Sequence, residues 1–180
     1  MEKTSVQKLA GVLKVLVTVT FVCNLLVLPL VPGLATSNGK LLVENFDAVA
    51  WWEIAWVSWS LVFQIQYYTV LTVFLWFCGI CTAVILWQAR KVLDNILAGQ
   101  PFRKLNAKCL TTAAVCCFLI SAAALVRVVW RIWYYRSLAS LCSYNALFVP
   151  LFFMGGLLCM VMSALFRQAW ELKSENDLTI

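Results

Sequence analysis

The sequence predicts an all-α integral membrane protein, a bundle of four transmembrane helices with an outer interfacial Trp-rich helix between the first two. Of its 180 residues, 63% are hydrophobic and only 12% are charged, which excludes an ordinary water-soluble domain. The chain also contains apolar runs of about 20 residues, the length of helix that crosses a hydrocarbon core of about 30 Å. We therefore expect a single domain over residues 1–180, with spans at about 9–31, 67–87, 109–130 and 146–166.

The first apolar run, from Leu9 to Val31, has two interpretations. The small residues near Ala35 would suit a cleaved signal peptide, but the apolar core of a signal peptide is only about 7–15 residues long. We favour a retained helix because this run is longer. Lys14 lies near its predicted cytoplasmic end, where a lysine side chain can extend to the headgroups.

The segment from residue 41 to residue 66 combines acidic residues with tryptophans. Trp52, Trp56, Trp59 and Phe63 recur at helical spacing, so they are predicted to share one face of a helix. Tryptophan is enriched where the membrane meets water. An interfacial helix leading into the second span is therefore favoured over an aromatic recognition surface.

The polar segment at 88–108 is predicted to be a cytoplasmic loop between the second and third spans. Gly99 is expected to end a helix, Pro101 follows it, and the chain is expected to resume as helix near Asn106. Between Arg90 and Lys108 lie five of the 14 Lys and Arg residues and a single acid, Asp94. The residues predicted to contact a partner or lipid headgroups are Arg90, Lys91, Phe102, Arg103, Lys104, Asn106, Lys108 and, in the tail at 167–180, Asp177. The alternative is that these charges serve only to set the orientation in the membrane.

The distribution of basic residues predicts which side of the membrane each segment faces. Four spans place both termini on the same side. If that side is the cytoplasm, the inner segments carry ten Lys and Arg residues and the outer segments carry four. Because cytoplasmic loops are enriched in Lys and Arg, both termini and the tail are expected in the cytoplasm.

The outer arginines suggest a candidate ligand or ion-pair site. Arg127 and Arg131 are one helical turn apart, at the outer end of the third span, where an unpaired charge is costly. We expect the first outer segment to dock there through acid–arginine pairs and to form a small pocket. The alternative, equally weighted, is that the arginines extend to outer headgroups. The residues predicted for this pocket are Arg127, Arg131, Glu44, Asp47, Glu53, Trp52 and Trp56.

The eight cysteines raise the question of redox chemistry. The pair Cys78 and Cys81, in the sequence CGIC, resembles the thiol pair of four-helix enzymes that pass electrons to quinones. Counting along the helix places Cys78 near the middle of the bilayer, and such enzymes need a second outer pair, for which only Cys142 is available. Packing is therefore the favoured role of these thiols. The sequence AAVCCFLISAAA in the third span and Gly155-Gly156 in the fourth are expected to allow close helix contacts.

Other chemistry is disfavoured by what the sequence lacks. None of the predicted spans contains Asp or Glu, which counts against a proton-coupled transporter. The chain has no histidine, no phosphate-binding Gly-rich motif and no nucleophile–base pair, so we expect neither an enzyme nor a bound metal or cofactor. The net charge of +6 is attributed to topology and lipid contact, and direct nucleic-acid binding is not expected.

Two stretches carry a resemblance to a known family: LDNILAGQPFRKLNAKCL, from Leu93, and the tail ELKSENDLTI. They resemble the YoaS-like bacterial family of four-helix membrane proteins, a domain of unknown function. The resemblance implies an inner-membrane protein, often encoded beside a small helix-turn-helix regulator, and it supplies no catalytic residues.

Three functions follow as expectations. The first is a non-enzymatic bacterial inner-membrane sensor, regulator or accessory subunit that works through a cytoplasmic or membrane protein partner. The second is a transporter that binds a small solute or lipid in the outer Arg/Trp pocket, and the third is a thiol–quinone oxidoreductase using CGIC. Membrane lipids are expected as partners in each case, and a homo-oligomer is left open.

Overall fold

Four long helices make up the described part of the chain, in agreement with the predicted all-α four-span bundle. The structure, a computed structural model, describes residues 5–32, 62, 66–136 and 144–177. Helix α1 spans Ser5–Val27 and is followed by a 3-10 turn at Leu28–Leu30. Helices α2, α3 and α4 span Gln66–Leu97, Lys104–Tyr135 and Tyr144–Asp177. All four are long and apolar enough to cross a membrane, and the protein is a multi-pass membrane protein.

Three of the helices are longer than a bilayer core requires. Helices α2 and α3 have 32 residues each and α4 has 34. At 1.5 Å per residue these are about 48–51 Å long, against a hydrocarbon core of about 30 Å. Their polar ends therefore extend past the hydrocarbon or the helices tilt. The predicted interfacial Trp-rich helix falls on residues outside those that the structure describes.

The contacts divide the chain into two units, Met1–Phe21 with Cys81–Ile180 and Val22–Ile80. In the first unit, α3 is the most buried of the four spans. Its buried residues repeat every three or four positions, so one broad face packs against neighbouring helices. Six residues of this buried face are small, and Ile120 and Val128 lie among them. This confirms the predicted close packing of the span. The small residues are Ala107, Ala113, Ala114, Cys117, Ser121 and Ala124.

Helices α3 and α4 meet closely at Gly156. A Cβ atom placed on Gly156 would lie 2.9 Å from Cε1 of the Phe118 ring, whereas one on Gly155 would meet nothing within 4 Å. The Phe118 ring also packs on Phe153, with ring centroids 5.7 Å apart. Of the two predicted glycines, it is thus Gly156 whose missing side chain makes room for α3.

Hydroxyl groups link the same two helices at two levels. Ser121 Oγ donates to the carbonyl of Val149, at 2.9 Å, directly before Pro150 inside α4. Nearer the other end of α4, Ser163 Oγ donates to the carbonyl of Ala107 at 2.7 Å and lies 2.8 Å from Thr111 Oγ1. Hydroxyl–carbonyl bonds across transmembrane helices satisfy polar groups that have no water to contact.

The second unit contains the end of α1 and the beginning of α2. Trp76 Nε1 donates to the carbonyl of Leu28, at 2.9 Å, in the 3-10 turn that holds Pro29. A Cβ atom on Gly79 would lie 2.6 Å from a methyl carbon of Leu28, so α2 approaches this turn closely. An indole N–H that reaches a turn carbonyl satisfies both groups in a largely apolar setting.

Candidate functional site

The connection between α2 and α3 is a short, hydrogen-bonded turn. As predicted, Gly99 ends the helix in the left-handed conformation, with φ of 75°, and Pro101 follows. The amides of Ala98, Gly99 and Gln100 donate back to the last turn of α2, at 3.0–3.1 Å. These bonds satisfy carbonyls that a helix end otherwise leaves open. The loop therefore has a defined conformation fixed by its own backbone.

Asn106 has a different position from the one predicted for it. Its side chain is completely buried and so does not offer a contact surface to a partner or to headgroups. Its Oδ1 accepts a hydrogen bond from Asn95 Nδ2 at 2.6 Å, and its Nδ2 donates to the carbonyl of Pro101 at 2.7 Å. Asn106 thus joins the end of α2, the loop and the start of α3 from inside.

The other predicted contact residues of this loop lie on its surface. Phe102 is 49% exposed, and its neighbours Arg103 and Lys104 are exposed as well. Leu105, which was not among the predicted residues, is 47% exposed. The Phe102 ring contacts the ring of Phe166, with centroids 6.0 Å apart. We name the group Phe102, Arg103, Lys104 and Leu105 the loop patch.

The remaining predicted contact residues lie on α2, α3 and α4. Lys91 is exposed and its ammonium lies 5.8 Å from the centroid of the Trp87 ring, whereas Arg90 is half-buried. Lys108 is exposed one turn after Lys104 on α3. Asp177 is the last residue of α4.

Two contacts place other parts of the first unit at the same end as the loop. Lys14 Nζ of α1 lies 2.6 Å from Asp94 Oδ1 of α2. The ammonium of Lys104 lies 5.0 Å from the centroid of the Trp170 ring on α4. The first half of α1, the loop and the last turns of α4 therefore form one basic end, as expected for an even number of spans.

We predict a small stabilising coupling between Lys14 and Asp94. Their side chains are 36% and 47% exposed, so solvent screening limits the pair to about 0.5 kcal/mol. A double-mutant cycle with Lys14→Met and Asp94→Asn, read from thermal unfolding in detergent, measures it. The control is the ion pair of Arg167 with Glu171. Its coupling free energy should be smaller, because Arg167 is 73% exposed. A larger coupling in the control pair would contradict the conclusion that the ion pair of Lys14 with Asp94 stabilises the contact between α1 and α2.

A cleft of about 430 Å³ opens between α3 and α4 at the basic end. Its cations come from both helices, and its acidic residue, Glu171, accepts a hydrogen bond from Arg167 Nε at 3.0 Å. Its inner wall is formed by the hydrogen-bonded hydroxyls of Thr111 and Ser163. The lining residues are Lys104, Ala107, Lys108, Thr111, Met160, Ser163, Ala164, Arg167, Trp170 and Glu171.

Sequence reasoning identified Lys104 and Lys108 but missed the α4 side of this cleft. Arg167 and Trp170 are three residues apart and therefore project from one face of α4. Lys104, Lys108 and Thr111 likewise share one face of α3. Those spacings were available in the sequence, but the register of α3 against α4 was not.

The predicted outer Arg/Trp pocket is only partly visible. Arg127 is 6% exposed, which favours a buried contact for its guanidinium over extension to outer headgroups. The Nε atom of Arg131 is buried and has no hydrogen-bond partner among the described residues. The other predicted members of the pocket, Glu44, Asp47, Glu53, Trp52 and Trp56, lie outside the described residues. Their pairing with the arginines stays a prediction.

Two of the cysteine contacts cross between helices. No disulfide joins Cys78 to Cys81. The thiol of Cys81 lies near that of Cys116 on α3, and the thiol of Cys117 lies near that of Cys159 on α4. This arrangement favours the packing role over a dithiol centre. Within the described ranges no group of three or more metal-ligating side chains occurs.

Comparison with known families identifies most of the chain. A family model described as Protein of unknown function (DUF2975) matches residues 42–180. The chain belongs to this family. Neither the curated proteins nor the solved structures contain a significant match.

Proposed function

We propose that this member of the DUF2975 family is a non-enzymatic protein of the bacterial inner membrane, acting as a sensor, regulator or accessory subunit through a cytoplasmic partner. The observation that carries the proposal is the loop patch. Exposed Phe102 and Leu105 stand beside the cations Arg103 and Lys104 where the loop meets the first turn of α3, a junction held by Asn106. Aromatic and arginine side chains dominate the binding energy of protein interfaces, and a preformed loop lowers the entropy lost on binding.

The chemistry of the loop patch indicates the kind of partner. A complementary surface would offer an apolar pocket for Phe102 and carboxylates for Arg103 and Lys104. Such charges steer association and fix orientation. A protein surface with an acidic rim around an apolar pocket fits this description.

The proposed orientation has the basic end and both termini in the cytoplasm. Its support is the excess of Lys and Arg in the segments at that end, together with the position of Lys14 beside the loop. The proposed relation to YoaS-like proteins is supported by the stretch from Leu93 to Leu110 and by the tail, both of which lie within the matched residues 42–180.

The test is purification of the tagged full-length chain from its native host in mild detergent, followed by mass spectrometry. We expect a stoichiometric protein partner with the wild type and at least a tenfold loss of it with Phe102→Ala/Arg103→Ala, as for truncated interface anchors. The matched control is Leu172→Ala/Lys173→Ala, another exposed apolar–cation pair, on α4. It should retain the partner.

Two outcomes contradict the proposal. One is the absence of a stoichiometric protein partner, and the other is an equal loss of the partner in both double variants.

A bound small solute or lipid without a protein partner would favour the second candidate function, a transporter. The buried Nε of Arg131, with no hydrogen-bond partner among the described residues, is the observation that supports a ligand there. Melting temperatures of both variants should stay near that of the wild type, since the replaced side chains are exposed or half-exposed.

A further inference from the structure

We propose that the cleft between α3 and α4 at the basic end binds the phosphate group of an anionic phospholipid. This inference shares Lys104 with the loop patch but does not rest on the protein partner proposed above. It rests on the charges, the position and the surroundings of the cleft.

The cleft carries an excess of positive charge. Lys104 and Lys108 lie one turn apart on α3, and Arg167 faces them from α4. Glu171 forms an ion pair with Arg167 at 3.0 Å. In the part of the chain that the structure describes, neither lysine ammonium has an ion-pair partner. Two uncompensated ammonium groups at one cleft are an attractive site for a phosphate, which accepts hydrogen bonds through several oxygens.

The walls of the cleft hold these cations in place. The Trp170 ring lies 5.0 Å from the Lys104 ammonium, a cation–π contact that orients the lysine. Lys104 is also the first residue of α3, so the positive end of that helix adds to the local potential. Ser163 Oγ donates to the Ala107 carbonyl and lies 2.8 Å from Thr111 Oγ1, and these two hydroxyls form a polar inner wall.

The surroundings of the cleft favour a lipid over a soluble anion. Met160 and Ala164 line it, and one turn deeper the exposed side chains on the two helices are Val115 and Leu157, at 50% and 39% exposure. An apolar surface therefore continues from the cleft along the membrane-spanning part of α3 and α4. A phospholipid could place its phosphate among the cations and its acyl chains on this surface. Basic pockets between transmembrane helices on the cytoplasmic side are known lipid-headgroup sites.

The experiment titrates the full-length chain in a neutral detergent with dioleoyl phosphatidylglycerol or dioleoyl phosphatidylcholine and counts bound lipid by native mass spectrometry. We expect phosphatidylglycerol to bind more tightly. Lys104→Gln and Lys108→Gln should each weaken it about fivefold, as expected for one cation near an anionic headgroup. Arg103→Gln is the matched control, because it removes the same charge beside Lys104 without lining the cleft. It should change the affinity less than twofold.

A second measurement uses the cleft tryptophan. Phosphatidylglycerol brominated on its acyl chains should quench the tryptophan fluorescence of the wild type more than that of Trp170→Phe. The part of the quenching that depends on Trp170 should be smaller when the chain also carries Lys104→Gln/Lys108→Gln. Equal affinity for the two lipids, or equal losses in Arg103→Gln and Lys108→Gln, would overturn the proposal in favour of a general surface potential. If inorganic phosphate alone binds with the same variant pattern and displaces the lipid, the site is one for a soluble phosphate and the lipid assignment is wrong.

Discussion

Replacing Gly156 with leucine should lower the free energy of unfolding by about 3 kcal/mol, because an overpacked contact forces backbone or side-chain shifts. Even a Cβ atom at this position would lie 2.9–3.1 Å from three carbons of the Phe118 ring. The ring is itself held against Phe153 at 5.7 Å and has little freedom to move away. A leucine therefore has to push α3 and α4 apart. Thermal unfolding of the purified chain, followed by helical circular dichroism, measures the effect.

The neighbouring glycine provides the control. A Cβ atom on Gly155 would meet nothing within 4 Å, so Gly155→Leu should leave the melting temperature unchanged or raise it, since leucine favours a helix over glycine. Shortening the opposing side chain should partly restore stability in Gly156→Leu/Phe118→Ala. Equal destabilisation by leucine at the two glycines would show that the close contact of α3 with α4 does not lie at Gly156.

The second large effect is expected for Asn106→Ala. The change leaves the Asn95 amide and the Pro101 carbonyl without the partners that they contact at 2.6 and 2.7 Å. Asn95 and Pro101 are only half-buried, so each lost partner should cost about 1–2 kcal/mol, near the lower end for a buried polar group, and the total should be about 2–4 kcal/mol. The apparent melting temperature should fall by roughly 4–16 °C. The loop should also become accessible to proteases between Gly99 and Arg103.

Asn95→Ala serves as the graded comparison. It removes only the bond to Asn106 and leaves the bond to the Pro101 carbonyl, so it should cost about half as much. The double variant should add little to Asn106→Ala, because the shared bond is already lost. If Asn106→Ala keeps full stability but loses a co-purified partner, Asn106 is a contact residue as the sequence predicted, and its buried role is wrong.

Local signals in the sequence were sufficient for the helices and for the α2–α3 turn. Apolar runs of about 20 residues define a span whatever their neighbours are. Gly99 and Pro101 act through their own backbone preferences, and the structure places the turn there. The small residues of α3 predicted close packing without identifying the helix that packs on them.

What the sequence did not predict depends on the register between helices. Asn106 appeared to be a surface residue in a polar loop, and its burial requires Asn95, 11 residues away, to lie against it. The packing role favoured for Cys81 did not indicate its neighbour, which is Cys116 of another helix. The cleft likewise exists only because Arg167 and Trp170 of α4 stand level with Lys104 of α3. Such contacts are set by side-chain fit between helices, which no local pattern records.

The ion pair between Lys14 and Asp94 has a consequence for biosynthesis. The ribosome makes Asp94 about 80 residues after Lys14, a delay of roughly 4–16 s at bacterial and eukaryotic elongation rates. None of the most apolar stretch of α1 is buried against other helices, and α1 is made before α2. During that interval Lys14 carries its charge to the headgroups alone, which its place near the helix end permits. The contact between Lys14 of α1 and Asp94 of α2 can therefore form only after α2 has been made.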